Sequence, residues 1–265
     1  MKTNHLPLLL LIAASTLLPA SYGADAPVVV APDHSLAVKD YVAKGVPSPD
    51  SLWTPADYTT AAAALDSIMQ TDVTQLPRFD SATSGALFKR FINDDNLAPW
   101  LDKSTPVDQR MVKLSQIGGI SPLLMVYVKA STSAHNFDTE LVEIASYMLR
   151  AEMDGAVIIK QFRAAHPELA TNQQVQAGLD QAKGGFSQTL GGIVDMMLEF
   201  ANTHPSEALR CAGHLKTIMP ALLPELPAGD ADKLTARLKS AADAETKPDV
   251  KAALASLAAI GAPAK

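Results

Sequence analysis

The residues with the most chemical potential crowd into one short stretch, LPRFDSATSGALFKRF at 76–91. Arg78, Ser81, Ser84, Lys89 and Arg90 would suit either of two arrangements. A glycine-containing loop that runs into a helix N-terminus binds phosphate or another anion, because backbone N–H groups and the positive end of the helix dipole face the ligand. An ordinary helix start uses the same small polar residues as caps. Position separates the two. Asp80 or Ser81 can cap a helix whose apolar groups are Ala82, Leu87, Phe88 and Phe91, which puts Lys89 and Arg90 toward its C-terminal end. An anion held by the N-terminal amides would not reach them. The spacing therefore predicts an ordinary helix start, with Ser84 in the first turn and Arg78 ahead of the cap, open to an anion or an acidic side chain. Arg78, Ser84 and Lys89 are candidate binding residues.

Glu152 is the fourth candidate. It falls near the apolar stripe of the periodic segment 138–165, between Met148 and Ala156. Such a carboxylate either reaches solvent at the edge of the stripe or pairs with a neighbouring helix. If it is buried instead, desolvation raises its pKa unless an arginine or similar group compensates. The expectation is the edge or paired position.

Metal and nucleophile signatures are absent. The sequence holds no His-Glu-x-x-His, no Cys-x-x-Cys and no Glu-x-x-His of the di-iron type. Cys211 and His214 lie one helical turn apart and are soft enough for copper, but Leu209, Cys211, Ala212, Leu215 and Ile218 form a packing face. The nine methionines sit among Leu and Ile at helical spacing, where Met fills gaps. Gly119-Ile120-Ser121-Pro122-Leu123 and Gly185-Phe186-Ser187-Gln188-Thr189 each lack the last glycine of a nucleophile elbow, and no dinucleotide or phosphate-loop glycine pattern occurs. No catalytic residue, metal site or cofactor is assigned.

Charge narrows the choice of partner. The 265-residue chain carries 22 basic and 28 acidic residues, and its formal net charge is −6. That balance opposes binding to nucleic acid, which needs basic patches against phosphate, and adsorption to anionic membrane surfaces.

The elements that would position these residues begin after a targeting segment. Lys2 and His5 precede the apolar run LPLLLLIAASTLL (6–18), and small residues follow at Ser21 and Gly23. This pattern is that of a secretory signal peptide over 1–23, with cleavage near Gly23/Ala24. The run is shorter than the roughly 20 residues that span a bilayer. The mature chain is expected to be a soluble periplasmic or secreted protein with no membrane span. Its single cysteine forms no intramolecular disulfide, and no Asn-x-Ser/Thr sequon is present. Both features suit a bacterial periplasm.

Residues 24–50 read as an extended lead-in with a short turn of helix near Leu36–Tyr41. A single all-helical domain is expected over 51–262. Thr54, Pro55 and Asp57 mark a helix start, and Tyr58, Ala61, Ala62, Leu65, Ile68 and Met69 share one face to about Gln70. Another helix opens at Pro106 and is interrupted at Gly118-Gly119. SPLLMVYVKAS (121–131) is read as helix because its neighbours are helical. The stripe Leu141, Ile144, Ala145, Met148, Gly155, Ile159 and Phe162 makes 138–165 a long helix ended by His166-Pro167. A second long helix covers about 172–203 and ends at His204-Pro205. Gly184-Gly185 and Gly191-Gly192 are costly inside it, so a break or kink near 184 is expected. Helices over 206–223, 230–244 and 248–260 complete an all-α fold, a multi-helix bundle or stacked helix pairs. IIKQFRAAHP (158–167) and MMLEFANTHP (196–205) share Phe-x-x-x-His-Pro at an offset of 38 residues, too few identities to establish a repeat. Trp53 and Trp100 are expected as core anchors of the N-terminal helices.

The functional expectation is a non-enzymatic exported protein that binds a protein partner, as adaptor, scaffold or toxin-neutralising immunity protein. A small-molecule-binding helical module is the alternative. So is an enzyme whose scattered site would unite Glu152, Arg78, Ser84 and Lys89.

Overall fold

In the computed structural model the described residues are 35–114, 119–134 and 137–261. The expected signal peptide, the first part of the lead-in and Gly118 lie outside them. Every regular element among the described residues is helical. None of these helices is long and apolar enough to cross a membrane. The chain divides into two compact units, and the helix Asp138–Ala165 contributes to both.

The unit formed by 35–102, 119–134 and 137–148 starts within the lead-in, where α1 spans Val38–Ala43. Tyr41 and Val46 are buried there. Next comes α2, Pro55–Thr71, and its beginning follows from three residues. The Thr54 hydroxyl accepts from the Asp57 N–H at 3.4 Å, and the Asp57 carboxylate accepts from the Thr54 N–H at 2.6 Å. This reciprocal box satisfies two of the amide donors that a helix start leaves open. Tyr58, Ala61, Ala62, Leu65 and Ile68 are buried, as the periodicity predicts.

Short helices α3 (Gly85–Phe91) and α4 (Ala98–Leu101) precede α5 (Val107–Leu114) and α6 (Ile120–Ala134). The segment 121–131 is therefore helical. α2 packs on α6, and Gly119 lets the chain enter α6 close to the start of α2. A Cβ on Gly119 would stand 2.9 Å from the Pro55 carbonyl oxygen. Trp53, Tyr58, Phe88, Phe91, Tyr127 and Phe137 are buried and in ring contact, with centroid distances of 5.0 to 6.1 Å. Each such side chain contributes about 1.5–3 kcal/mol by leaving water. The side chain of Trp100 lies outside what is described.

The other unit holds 103–114 and 149–261. It receives the end of α7 (Asp138–Ala165), and then α8 (Gln173–Thr203), α9 (Pro205–Leu222), α10 (Asp230–Ala244) and α11 (Pro248–Ile260). α8 packs on α9 and α10, and α11 packs on the same two helices. Polar ties fix the arrangement. The Ser187 hydroxyl donates to Asp230 at 2.8 Å, Asp195 pairs with Arg237, and the Lys247 ammonium donates to the Ala201 carbonyl at 2.8 Å.

α8 runs unbroken through both glycine pairs, against the expected break near 184. Four glycines cost about 4 kcal/mol against alanine in a helix interior. Burial of Phe186, Leu190, Ile193, Val194, Met197 and Phe200 on one face outweighs that several-fold at about 1.5–3 kcal/mol each. Pro220 is likewise carried inside the last turn of α9, and the chain leaves helix only after the turn around Pro224.

The two His-Pro sequences have the same local structure. His166 and His204 adopt φ/ψ of −128°/61° and −134°/73°, and each donates its N–H to the phenylalanine carbonyl four residues back. Pro167 and Pro205 then open the next helical segment. The missing N–H and fixed φ of proline make that position favourable.

Candidate functional site

Around α3 the structure corrects the predicted boundary. The helix starts at Gly85, with Ser84 as its N-cap residue, rather than at a cap on Asp80 or Ser81. Hydroxyl-to-backbone bonds explain the delay, because they offer the chain an alternative to helix. The Ser81 hydroxyl accepts the N–H groups of Thr83 (3.1 Å) and Ser84 (3.0 Å). The Ser84 hydroxyl accepts the Arg78 N–H at 3.1 Å and donates to the Ser35 hydroxyl at 2.9 Å. Ser84 is completely buried, and Ala82, expected on the apolar face, is exposed ahead of the helix.

Arg78 and Lys89 join the same cluster. The Arg78 guanidinium lies 3.4 Å from a Glu140 carboxylate oxygen and 3.6 Å above the centre of the Phe137 ring. The other Glu140 oxygen accepts the Phe79 N–H at 2.7 Å. Burial pushes the Glu140 carboxyl above its ordinary range, while the Phe79 N–H and Arg78 oppose the shift. Arg78 thus meets an acidic side chain, one of the two roles open to it. Lys89 is exposed, with its ammonium 5.5 Å over the Phe79 ring. Three of the four candidates are therefore united, by contacts that tie the 77–84 loop to the start of α7. The Tyr127 hydroxyl adds a bond of 2.8 Å to the Pro77 carbonyl.

Glu152 belongs to the other unit and overturns its expected edge position. It is 3% exposed and has no basic partner, and its Oε2 has no hydrogen-bond partner among the described residues. Burial pushes its carboxyl up to about 8, and Thr189 of α8 slightly eases that. The Thr189 hydroxyl is itself buried and, like Glu152 Oε2, closes no hydrogen bond among the described residues.

A polar network that sequence reasoning missed lies among the aromatic rings. The Asn96 amide accepts the Trp53 N–H at 2.9 Å and donates to the Tyr58 hydroxyl (3.0 Å) and the Arg90 carbonyl (2.9 Å). Tyr58 in turn donates to the Phe91 carbonyl at 2.8 Å, and its hydroxyl lies 3.1 Å from that of Tyr147. Burial pushes the Tyr58 phenol up to about 12 and raises Tyr147 as well. These phenols stay protonated and donate to the backbone carbonyls of Phe91 and Asn93. Elsewhere, His166 bridges Asp108 (2.8 Å) and Glu168 (3.1 Å) through opposite ring nitrogens, a geometry that cannot chelate one ion. Cys211 is fully buried. Among the described residues no group of three or more His, Cys, Asp or Glu side chains is placed to hold a metal.

No family model matches the chain, and neither does any curated protein or solved structure. The class that the fold defines is an all-α protein of packed helices.

Proposed function

We propose that the chain is an exported, periplasmic helical protein that acts by binding a protein partner, as an adaptor, scaffold or toxin-neutralising immunity protein. The observation that carries this reading is the fate of the polar cluster beside α3. Arg78 is committed to Glu140 and Phe137, and Ser84 to Arg78 and Ser35, so the groups best suited to hold a small anion are spent on the fold. The chain carries a formal net charge of −6, so its surface is on balance acidic. Such a surface speeds association with a basic partner and makes the encounter salt-sensitive. Affinity capture with the tagged mature chain tests the reading, with low- and high-salt washes separating charge-steered partners from nonspecific adsorption.

A second reading, a small-molecule-binding module or an enzyme with a scattered site, is favoured by one feature. That feature is the buried Glu152 carboxyl, whose Oε2 has no partner among the described residues. A ligand that donates a hydrogen bond to Glu152 would protect it from pH titration, which a surface-bound protein would not do.

A further inference from the structure

We infer that Glu152 of α7 makes the unit formed by 103–114 and 149–261 a pH-sensitive device. The carboxyl is seated as the neutral acid, and its ionisation destabilises that unit. Glu152 on α7 and Thr189 on α8 are 3% and 7% exposed, and neither Glu152 Oε2 nor Thr189 Oγ1 has a hydrogen-bond partner among the described residues. Thr189 of α8, which does not titrate, is the side chain that eases the burial of the carboxyl. No charged or titratable side chain of any described element acts on the carboxyl. A buried carboxylate with no cation, and with only the Thr189 hydroxyl to ease it, carries most of its desolvation cost, whereas the neutral acid carries only that of a polar group.

The direction of the pH effect follows. A carboxyl that burial has raised to about 8 holds its proton in the folded chain after the unfolded chain has released it. Folding is favoured fully below the ordinary Glu range, and that advantage is lost as pH rises toward the folded value. Between about pH 6 and about pH 9 the unfolding equilibrium constant should rise about a hundredfold through this one group. His166 shares the unit and is itself raised by Glu168 and Asp108, so it adds a loss of the same sign. A chain that differs only at Glu152 isolates the carboxyl.

The test measures urea unfolding of the full chain by far-ultraviolet circular dichroism across that pH range, for the wild type and for Glu152→Gln, whose amide has the shape of the protonated acid. Glu152→Met serves as a second variant if the amide folds poorly. The wild type should show the hundredfold rise beyond whatever either variant shows. In parallel, the carbon-13 shift of the Glu152 carboxyl in the wild type should titrate far above the ordinary Glu range. Equal pH dependence in wild type and variants, or a titration midpoint in that ordinary range, overturns the inference.

Discussion

Arg78 and Glu140 are 62 residues apart in sequence, yet their charged groups meet at 3.4 Å beside the Phe137 ring. The pair fastens the loop before α3 to the first turn of α7. Glu140 is nearly inaccessible to solvent, so removing Arg78 leaves a buried carboxylate with less compensation. Arg78→Ala should cost about 2–4 kcal/mol, and Glu140→Gln should cost less because the neutral amide needs no counter-charge. Both tryptophans belong to this unit, so urea unfolding followed by tryptophan fluorescence reads it directly.

Asn96 closes three hydrogen bonds among buried aromatic rings. Asn96→Ala would strand the Trp53 N–H and remove the support of Tyr58 together. The same fluorescence measurement should record a loss of about 2–3 kcal/mol, against about 1 kcal/mol for Tyr58→Phe.

The glycines divide by what a methyl group would meet. Around Gly184 and Gly191 the space is open, and α8 is continuous through both. Each change to alanine there should stabilise by about 0.5–1 kcal/mol. Gly119→Ala would press a methyl group against the Pro55 carbonyl and should destabilise. Chemical denaturation of the three single variants checks both signs.

Thr54→Ala removes one half of the box that opens α2 and should cost about 1 kcal/mol. Thr54→Ser, which keeps the acceptor, should recover most of it.

How much of this was legible in the sequence depended on range. The boundaries of α2, α7, α10 and α11 follow from local signals such as Thr54-Pro55, His166-Pro167 and the apolar stripes, and they appear in the structure nearly as read. Two local readings failed because distant partners outvoted them. The start of α3 moved to Gly85 since Ser81 and Ser84 spend their hydroxyls on the loop and on Ser35. α8 stayed whole since its buried face outweighs its glycines. In the candidate site, Arg78 carried a visible signal, but nothing near it points to Glu140 or Phe137. Only the fold brings those together. For Glu152 periodicity placed the residue at the stripe, but the stripe's width could not tell edge from interior. The Asn96 network left no pattern at all, because its bonds run to backbone groups that every residue possesses.

Partner binding is tested most directly by affinity capture. The tagged mature chain is incubated with the extracytoplasmic fraction of cells that express it, and quantitative mass spectrometry compares the bound proteins with a tag-only control. The proposal predicts at least one basic polypeptide enriched under gentle conditions, released by salt, and binding the chain again after purification. No polypeptide enriched over the control, or none that rebinds when pure, would contradict it.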